Sequence, residues 1–201
     1  IKLPSTLTEI GDDAFIRCKS LQSIELPGAL ITIGEAVFDS TSLRSIIIPN
    51  SVKTLGEHIF YNCKNLTSVT LPDSISSIAP GTFYNCSRLK HIDLPTSITK
   101  IKGDEHCRGA FESCSALKSI IIPINAIVHD DAFCGCTLLE AKSSRYNMSV
   151  VEYYRDFYHE RIKRRVHFLT CLKIHQELIE AEQAGERPAN RRRTEIVEEE
   201  L

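Results

Sequence analysis

Cysteine and histidine are the residues of this sequence best equipped for chemistry. Cys18, Cys63, Cys86, Cys114 and Cys136 each stand three residues after a phenylalanine. Thiols at one place in successive units form a column, with neighbours about 5 Å apart if the units stack at strand spacing. That is within disulfide reach, but a buried layer of reduced thiols is the expected role, because free cysteine is among the most buried residue types. Ser40 or Thr41 fills the slot in the second unit, which argues against obligatory pairing. Cys134 and Cys136 form a C-x-C, and Asp104-Glu105-His106-Cys107-Arg108 gathers three ligand types in one loop. Neither has the paired-cysteine spacing or the second His/Cys pair of a zinc site. No metal and no cofactor are expected.

Catalytic patterns are missing from the sequence as well. It has no G-x-S-x-G, phosphate-binding loop, H-E-x-x-H or glycine-rich dinucleotide turn. Its histidines are scattered: His91 on an expected strand, His58 and His129 in turns, and His159, His167 and His175 on a helical segment. No catalytic residue is assigned, and the chain is read as a non-enzyme. Asn65-Leu66-Thr67, Asn85-Cys86-Ser87 and Asn147-Met148-Ser149 match the glycosylation acceptor pattern. In the first two the middle residue belongs to the buried set, so they read as repeat grammar.

The elements that position these residues are repeats. Pro4, Pro27, Pro49, Pro72, Pro95 and Pro123 recur at spacings of 23, 22, 23, 23 and 28, and Phe15, Phe38, Phe60, Phe83, Phe111 and Phe133 at 23, 22, 23, 28 and 22. Two independent markers therefore share one period, and the insertion at 104–108 accounts for the longer step. Each unit reads roughly L-x-x-I-x-L-P-x-S-L-x-x-I-G-x-x-A-F-x-x-C. Alternation such as Ser23-Ile24-Glu25-Leu26 is that of a strand with one buried face, and the proline ends it. Leu7, Ile10, Phe15 and Cys18 supply the return path, expected as a turn with a short helical or 3-10 stretch. One unit cannot bury both halves alone, whereas stacked units can.

Composition agrees with such an array. The 201 residues are 42% hydrophobic and 25% charged with no Trp, so aliphatics fill the core and a wholly disordered chain is excluded. Ile46–Ile48 and Ile120–Ile122 are the longest apolar runs, far short of the ~18 residues of a membrane span. A net charge of -2 excludes attachment to nucleic acid mainly by bulk charge.

The L-x-x-I-x-L-P and A-F-x-x-C signatures, the latter in Ala14-Phe15-x-x-Cys18 and Ala110-Phe111-x-x-Cys114, resemble the BspA-like leucine-rich repeat family over residues 1–140. The resemblance implies a repeat solenoid of the α/β leucine-rich repeat horseshoe class, with parallel strands on one face, short helical or 3-10 turns on the other, and a C-terminal α-helical segment. Thr6, Ala29, Ser51, Ser74, Ser97 and Asn125 stand where such repeats place an asparagine ladder and are expected to satisfy backbone groups, Ala29 less well. The rival architecture is a parallel β-helix enzyme acting on polysaccharide. It needs clustered carboxylates, and Glu25 and Asp93 stand three units apart.

Binding in this family lives on the strand face, which holds its outward side chains in a fixed grid. The two outward columns are Ser23, Ser45, Ser68, His91, Ser119 and Lys2, Glu25, Ile47, Thr70, Asp93, Ile121. Glu25, Ile47, Thr70, His91, Asp93 and Ile121 are the candidate partner-binding residues: anchors in a polar surround are what an interaction face needs.

Both ends differ from the repeats. Ile1-Lys2-Leu3-Pro4 enters in mid-unit, which predicts further sequence upstream. Ser149 and Glu152 form a capping box opening a helical cap or arm over 149–183, with Val151, Tyr154, Tyr158, Ile162, Leu169, Leu172 and Ile179 at helical spacing. Residues 184–201 are expected to be a disordered charged tail. Residues 155–173 hold six basic against two acidic residues, a net of +4, and 177–200 eight Glu against four Arg, a net of -4. The expected function is a non-catalytic leucine-rich repeat module that binds a protein through its strand face, in the cytoplasm, with no small-molecule substrate and neither nucleic acid nor membrane as partner. The alternative is an extracellular or cell-surface adhesion or receptor segment of the same fold.

Overall fold

The six phenylalanines stack into one column. In the computed structural model, which describes residues 1–104, 108–145 and 148–157, the rings of Phe15, Phe38, Phe60, Phe83, Phe111 and Phe133 lie 5.7, 5.7, 5.5, 5.0 and 5.4 Å apart between centroids and within 15° of parallel. A side chain repeated at one position per unit meets its own kind in the next unit, so the sequence period becomes a stack. The chain divides into two units, Ile1–Asp156 and Phe157–Leu201, and the first is a parallel-strand solenoid.

Each repeat has a strand before its proline and a second one after it. The strands before the proline are β3 (Ser45–Ile47), β5 (Ser68–Thr70), β7 (His91–Asp93) and β9 (Ser119–Ile121), β3 pairing with β5 and β7 with β9, all in parallel. A parallel bridge from Lys2 to Glu25 extends this face toward the N-terminus. After the proline come β1 (Glu9–Ile10), β2 (Thr32–Ile33) and β4 (Thr54–Leu55) in one sheet, and β6 (Ser77–Ile78), β8 (Lys100–Ile101) and β10 (Ile127–Val128) in another. Ile10, Ile33 and Leu55 pair in register, as do Ile78, Ile101 and Val128. The return path expected as a 3-10 stretch is thus a two-residue strand leading into a turn. Among the described residues 3-10 geometry appears at Asp130–Phe133.

The Phe–Cys arc is built by main chain that alternately donates to the next unit. Phe15, Phe38, Phe60, Phe83 and Phe111 donate their N–H to Val37, Ile59, Thr82, Ala110 and Ala132 at 2.8–3.0 Å. Holding that direction puts the residue two after each Phe in the left-handed region: Arg17, Ser40, Asn62, Asn85, Ser113 and Gly135 have φ of 54–71°. Asparagine and glycine tolerate this conformation best, and Asn85 also donates its amide to Asn62 Oδ1 at 2.8 Å.

The expected hydroxyl ladder after the prolines forms only in part. Ser74 donates to the Val52 carbonyl, whereas the Ser51 and Ser97 hydroxyls are buried without a partner. The main chain already closes these turns: the carbonyls of Pro4, Pro27, Pro49, Pro95 and Pro123 accept the N–H three residues on at 2.9–3.1 Å. Ser51→Ala should therefore raise stability, by about 1 kcal/mol for release of an unsatisfied buried hydroxyl. Thermal unfolding of the variant checks this, and a lower midpoint would show that the hydroxyl has a use.

The C-terminal side of the array carries helix α1 (Thr137–Ser144) and a π-helical turn, Glu152–Phe157. The capping box forms as expected: Ser149 N–H donates to Glu152 Oε2 at 2.9 Å and Glu152 N–H to Ser149 Oγ at 3.2 Å. Tyr154 is buried and its hydroxyl donates to the Lys118 carbonyl at 3.1 Å. Thr137 and Lys142 reach the Ser115 and Lys118 carbonyls, so backbone acceptors of the segment leading into β9 are covered from α1 and from Tyr154. The rest of the expected 149–183 arm and the 184–201 tail lie outside the described residues, as do His159, His167 and His175.

Candidate interaction face

The strand face is assembled by alternation. In β3, β5 and β7 the middle residue is buried and its neighbours point out; in β9 Ile120 is buried beside the exposed Ile121. Ile46, Val69, Ile92 and Ile120 therefore anchor the sheet, while Ser45, Ser68 and His91 and then Ile47, Thr70, Asp93 and Ile121 are displayed. Register places Ile47 opposite Thr70 and Asp93 opposite Ile121. Glu25 continues the second column through its bridge to Lys2. All six candidate residues thus share one face. Ile47 is 69% exposed and Ile121 43%, high values for isoleucines within strands. Ile47 and Glu25 border a shallow depression of about 470 Å³ lined also by Leu26 and Pro49. His91 Nδ1 and Ser119 Oγ lie 2.8 Å apart across β7 and β9, fixing that imidazole on the face.

The thiol column is a scaffold. Cys63, Cys86, Cys114 and Cys136 donate to the carbonyls of Phe38, Phe60, Phe83 and Phe111, the phenylalanine of the preceding unit in each case, at 3.0–3.2 Å. The thiols are satisfied by backbone of the unit below. Thr41 takes the slot in the second unit, its hydroxyl 3.3 Å from Cys63 Sγ. Cys18, by contrast, is exposed. Burial pushes the Cys63 thiol up to about 11, opposed by its hydrogen bond with Thr41, and Cys114 up to about 12; Cys86 and Cys136 are raised as well, again chiefly by burial.

These shifts have a sign for stability. The folded thiols keep their protons to higher pH than unfolded ones, which ionise near 8.5, so the column's contribution is full below about pH 8.5. It falls as pH rises toward the folded values, each buried thiol adding to the decline. Unfolding free energies at pH 8 to 11 should show this decline, and Cys86→Ala should make it shallower. An unchanged slope in that variant would contradict the assignment.

The other chemistry-bearing residues have structural partners, except that His58 Nδ1 is buried without a hydrogen-bond partner. In the inserted loop Arg108 Nε lies 3.0 Å from Asp104 Oδ2, and Arg108 N–H donates to Asp104 Oδ1 at 2.9 Å; His106 and Cys107 lie outside the described residues. His129 Nδ1 accepts the Asp131 N–H at 3.3 Å at the start of the 3-10 turn. His58 packs edge-on to Tyr61, 5.4 Å between centroids. Asn65 and Asn85 of the first two glycosylation patterns bond Arg88 and Asn62, and Asn147 is outside the described residues. Among the described residues no three of His, Cys, Asp and Glu gather as metal ligands, and no helix is long and apolar enough to cross a membrane.

Two surface features had no counterpart in the sequence reading. Tyr61 and Tyr84 stack at 4.5 Å on the arc, a pairing signalled only by Tyr at the same offset in two successive units. A polar groove of about 380 Å³, lined by Gln22, Ser42, Arg44, Asn65, Thr67 and Arg88, runs beside the strand face.

The pattern that defines the BspA type leucine rich repeat region matches residues 1–107 and 105–164 in six copies. Among solved structures, the chain is similar to a leucine rich cell surface protein of Faecalibacterium prausnitzii (29% identity, TM-score 0.54, 69% of this chain and 32% of that one). It is also similar to a leucine-rich repeat protein of Bacteroides ovatus (28% identity, TM-score 0.51, 64% of this chain and 38% of that one). A leucine-rich repeat protein of Eubacterium ventriosum, 23% identical with a TM-score of 0.51 over 67% of this chain and 42% of that one, shares the fold. This chain spans about a third of the length of the first two. No curated protein sequence matches it. With six copies matched along residues 1–164, the chain belongs to the BspA type leucine-rich repeat family.

Proposed function

We propose that this chain is a non-catalytic module that binds a protein through the outward columns of β3, β5, β7 and β9. The observation that carries the reading is Ile47, an isoleucine 69% exposed in a strand and bordering the depression beside Glu25. A strand isoleucine left mostly uncovered by its own chain, ringed by Ser, Thr and charged side chains, has the makeup of an interface anchor. Thr70, His91, Asp93 and Ile121 complete the face, and neither a small-molecule substrate nor a cofactor enters the reading.

A photo-crosslinking amino acid at Thr70, in the full chain, should capture one protein that the same group at Glu112 on the arc does not. Capture from Glu112 alone would place the interface on the other side of the repeat.

We place the module in the cytoplasm, a reading supported by buried thiols that bond backbone carbonyls. The second reading, a cell-surface adhesion or receptor segment, is favoured by the likeness to the cell surface protein of Faecalibacterium prausnitzii. Protease treatment of intact cells separates the two: a chain that resists until the cells are lysed is inside.

A further inference from the structure

The segments that climb from the arc to the strand face carry charge of one sign. Residues 17–24, 40–47, 62–69, 85–92 and 113–120 contain Arg17, Lys19, Arg44, Lys64, Arg88, Lys90 and Lys118, and no Asp or Glu. Acidic residues concentrate where the arc begins, at Asp12, Asp13, Glu35, Glu57, Asp130 and Asp131. A chain of net charge -2 is therefore split into a basic seam through all five segments and an acidic one interrupted at Ala79-Pro80-Gly81-Thr82.

The basic seam has a built centre. Arg44 and Arg88 flank the 380 Å³ groove, two units apart, with Asn65 and Thr67 between them. Arg88 Nη1 donates to Asn65 Oδ1 at 3.4 Å, and the Thr67 N–H and hydroxyl both donate to the Arg44 carbonyl at 2.8 Å, so the groove wall is held by hydrogen bonds between units. Neither guanidinium has a carboxylate within ion-pair distance among the described residues. Both are exposed, with their fork of donors available to a planar anion.

We infer that this groove takes an acidic, extended segment of the partner protein, with carboxylates three residues apart meeting Arg44 and Arg88. The inference rests on the protein-binding reading above and adds the chemistry of the partner. Two units of a parallel stack span about 10 Å, close to one turn of a polyproline II segment, which returns every third side chain to the same side. The seam lies directly before β3, β5, β7 and β9, so a segment in it is continuous with a partner seated on the strand face. Single-stranded nucleic acid fits less well, because base stacking needs aromatic platforms and these five segments contain no Phe, Tyr or Trp.

The test uses the full chain and a fluorescein-labelled twelve-residue peptide with Glu at every third position among Gly and Ser, beside the same peptide with Gln. The Glu peptide should bind and weaken as salt rises, and the Gln peptide should not. Arg44→Gln combined with Arg88→Gln should weaken binding about tenfold with the melting temperature unchanged. Equal binding of both peptides, or no effect of the double substitution, overturns the inference. So does tighter binding of oligo(dT) or heparin than of the Glu peptide. The crosslinked partner keeps the two readings apart: if its affinity falls with Ile47→Asp but not with the arginine pair, the seam fails and the strand face stands.

Discussion

Phe83→Ala should cost about 4 kcal/mol, the loss typical of a fully buried aromatic cut to alanine. Phe83 has no exposed surface and sits between Phe60 and Phe111, with centroids 5.5 and 5.0 Å away. Its carbonyl also accepts the Cys86 N–H and the Cys114 thiol, so the ring and the backbone behind it tie three units together. In a chain of this size a loss of that order lowers the melting temperature by about 10 °C. Because each repeat contacts only its neighbours, the effect depends on position. Phe15 is half-buried and stacks on Phe38 alone among the described rings, so Phe15→Ala should cost clearly less. Calorimetry of the two variants is the check, and equal losses would contradict a continuous ring stack as the source of coupling.

Gly56→Ala should cost about 3 kcal/mol while Gly11→Ala changes stability by less than about 0.5 kcal/mol. Both glycines follow the second strand of their unit, at the same point of the repeat. A Cβ on Gly56 would lie 2.5 Å from the Gly34 carbonyl group and the Glu35 nitrogen, which are backbone atoms that cannot rotate away. A Cβ on Gly11 meets nothing within 4 Å. The I-G pair of the repeat therefore records the close approach of one unit to the preceding one, with conformational freedom secondary. Denaturant titration of the two variants measures the difference, and a neutral Gly56→Ala would mean that the units are not stacked at this distance.

The parts of the fold legible in the sequence were those that recur over the whole array. The phenylalanine and proline periods survived the 104–108 insertion, and alternation at Ser45-Ile46-Ile47 told inside from outside correctly. The second strand was not legible because a pair such as Thr32–Ile33 is too short to show a period of two. Its pairing exists only between units, so Ile10 read as part of a turn. The serines after the prolines have the chemistry for a ladder, but the proline carbonyls already close those turns. The candidate face was legible in full as a set of positions, since the register of a strand follows from one buried residue. The basic groove was not. Arg44 and Arg88 stand six and five residues after their phenylalanines and share no column, and an overall charge of -2 hides a seam whose compensating acids lie on the other side of the arc.

The division of labour between scaffold and display is tested most directly by the affinity of the crosslinked partner for a chain carrying Ile47→Asp and Thr70→Lys, measured together with its melting temperature. Both side chains point outward opposite each other on β3 and β5, so the account predicts at least about a tenfold loss of affinity with a melting temperature within about 2 °C of the parent. Undiminished affinity in a chain that melts normally would contradict the strand face as the binding surface.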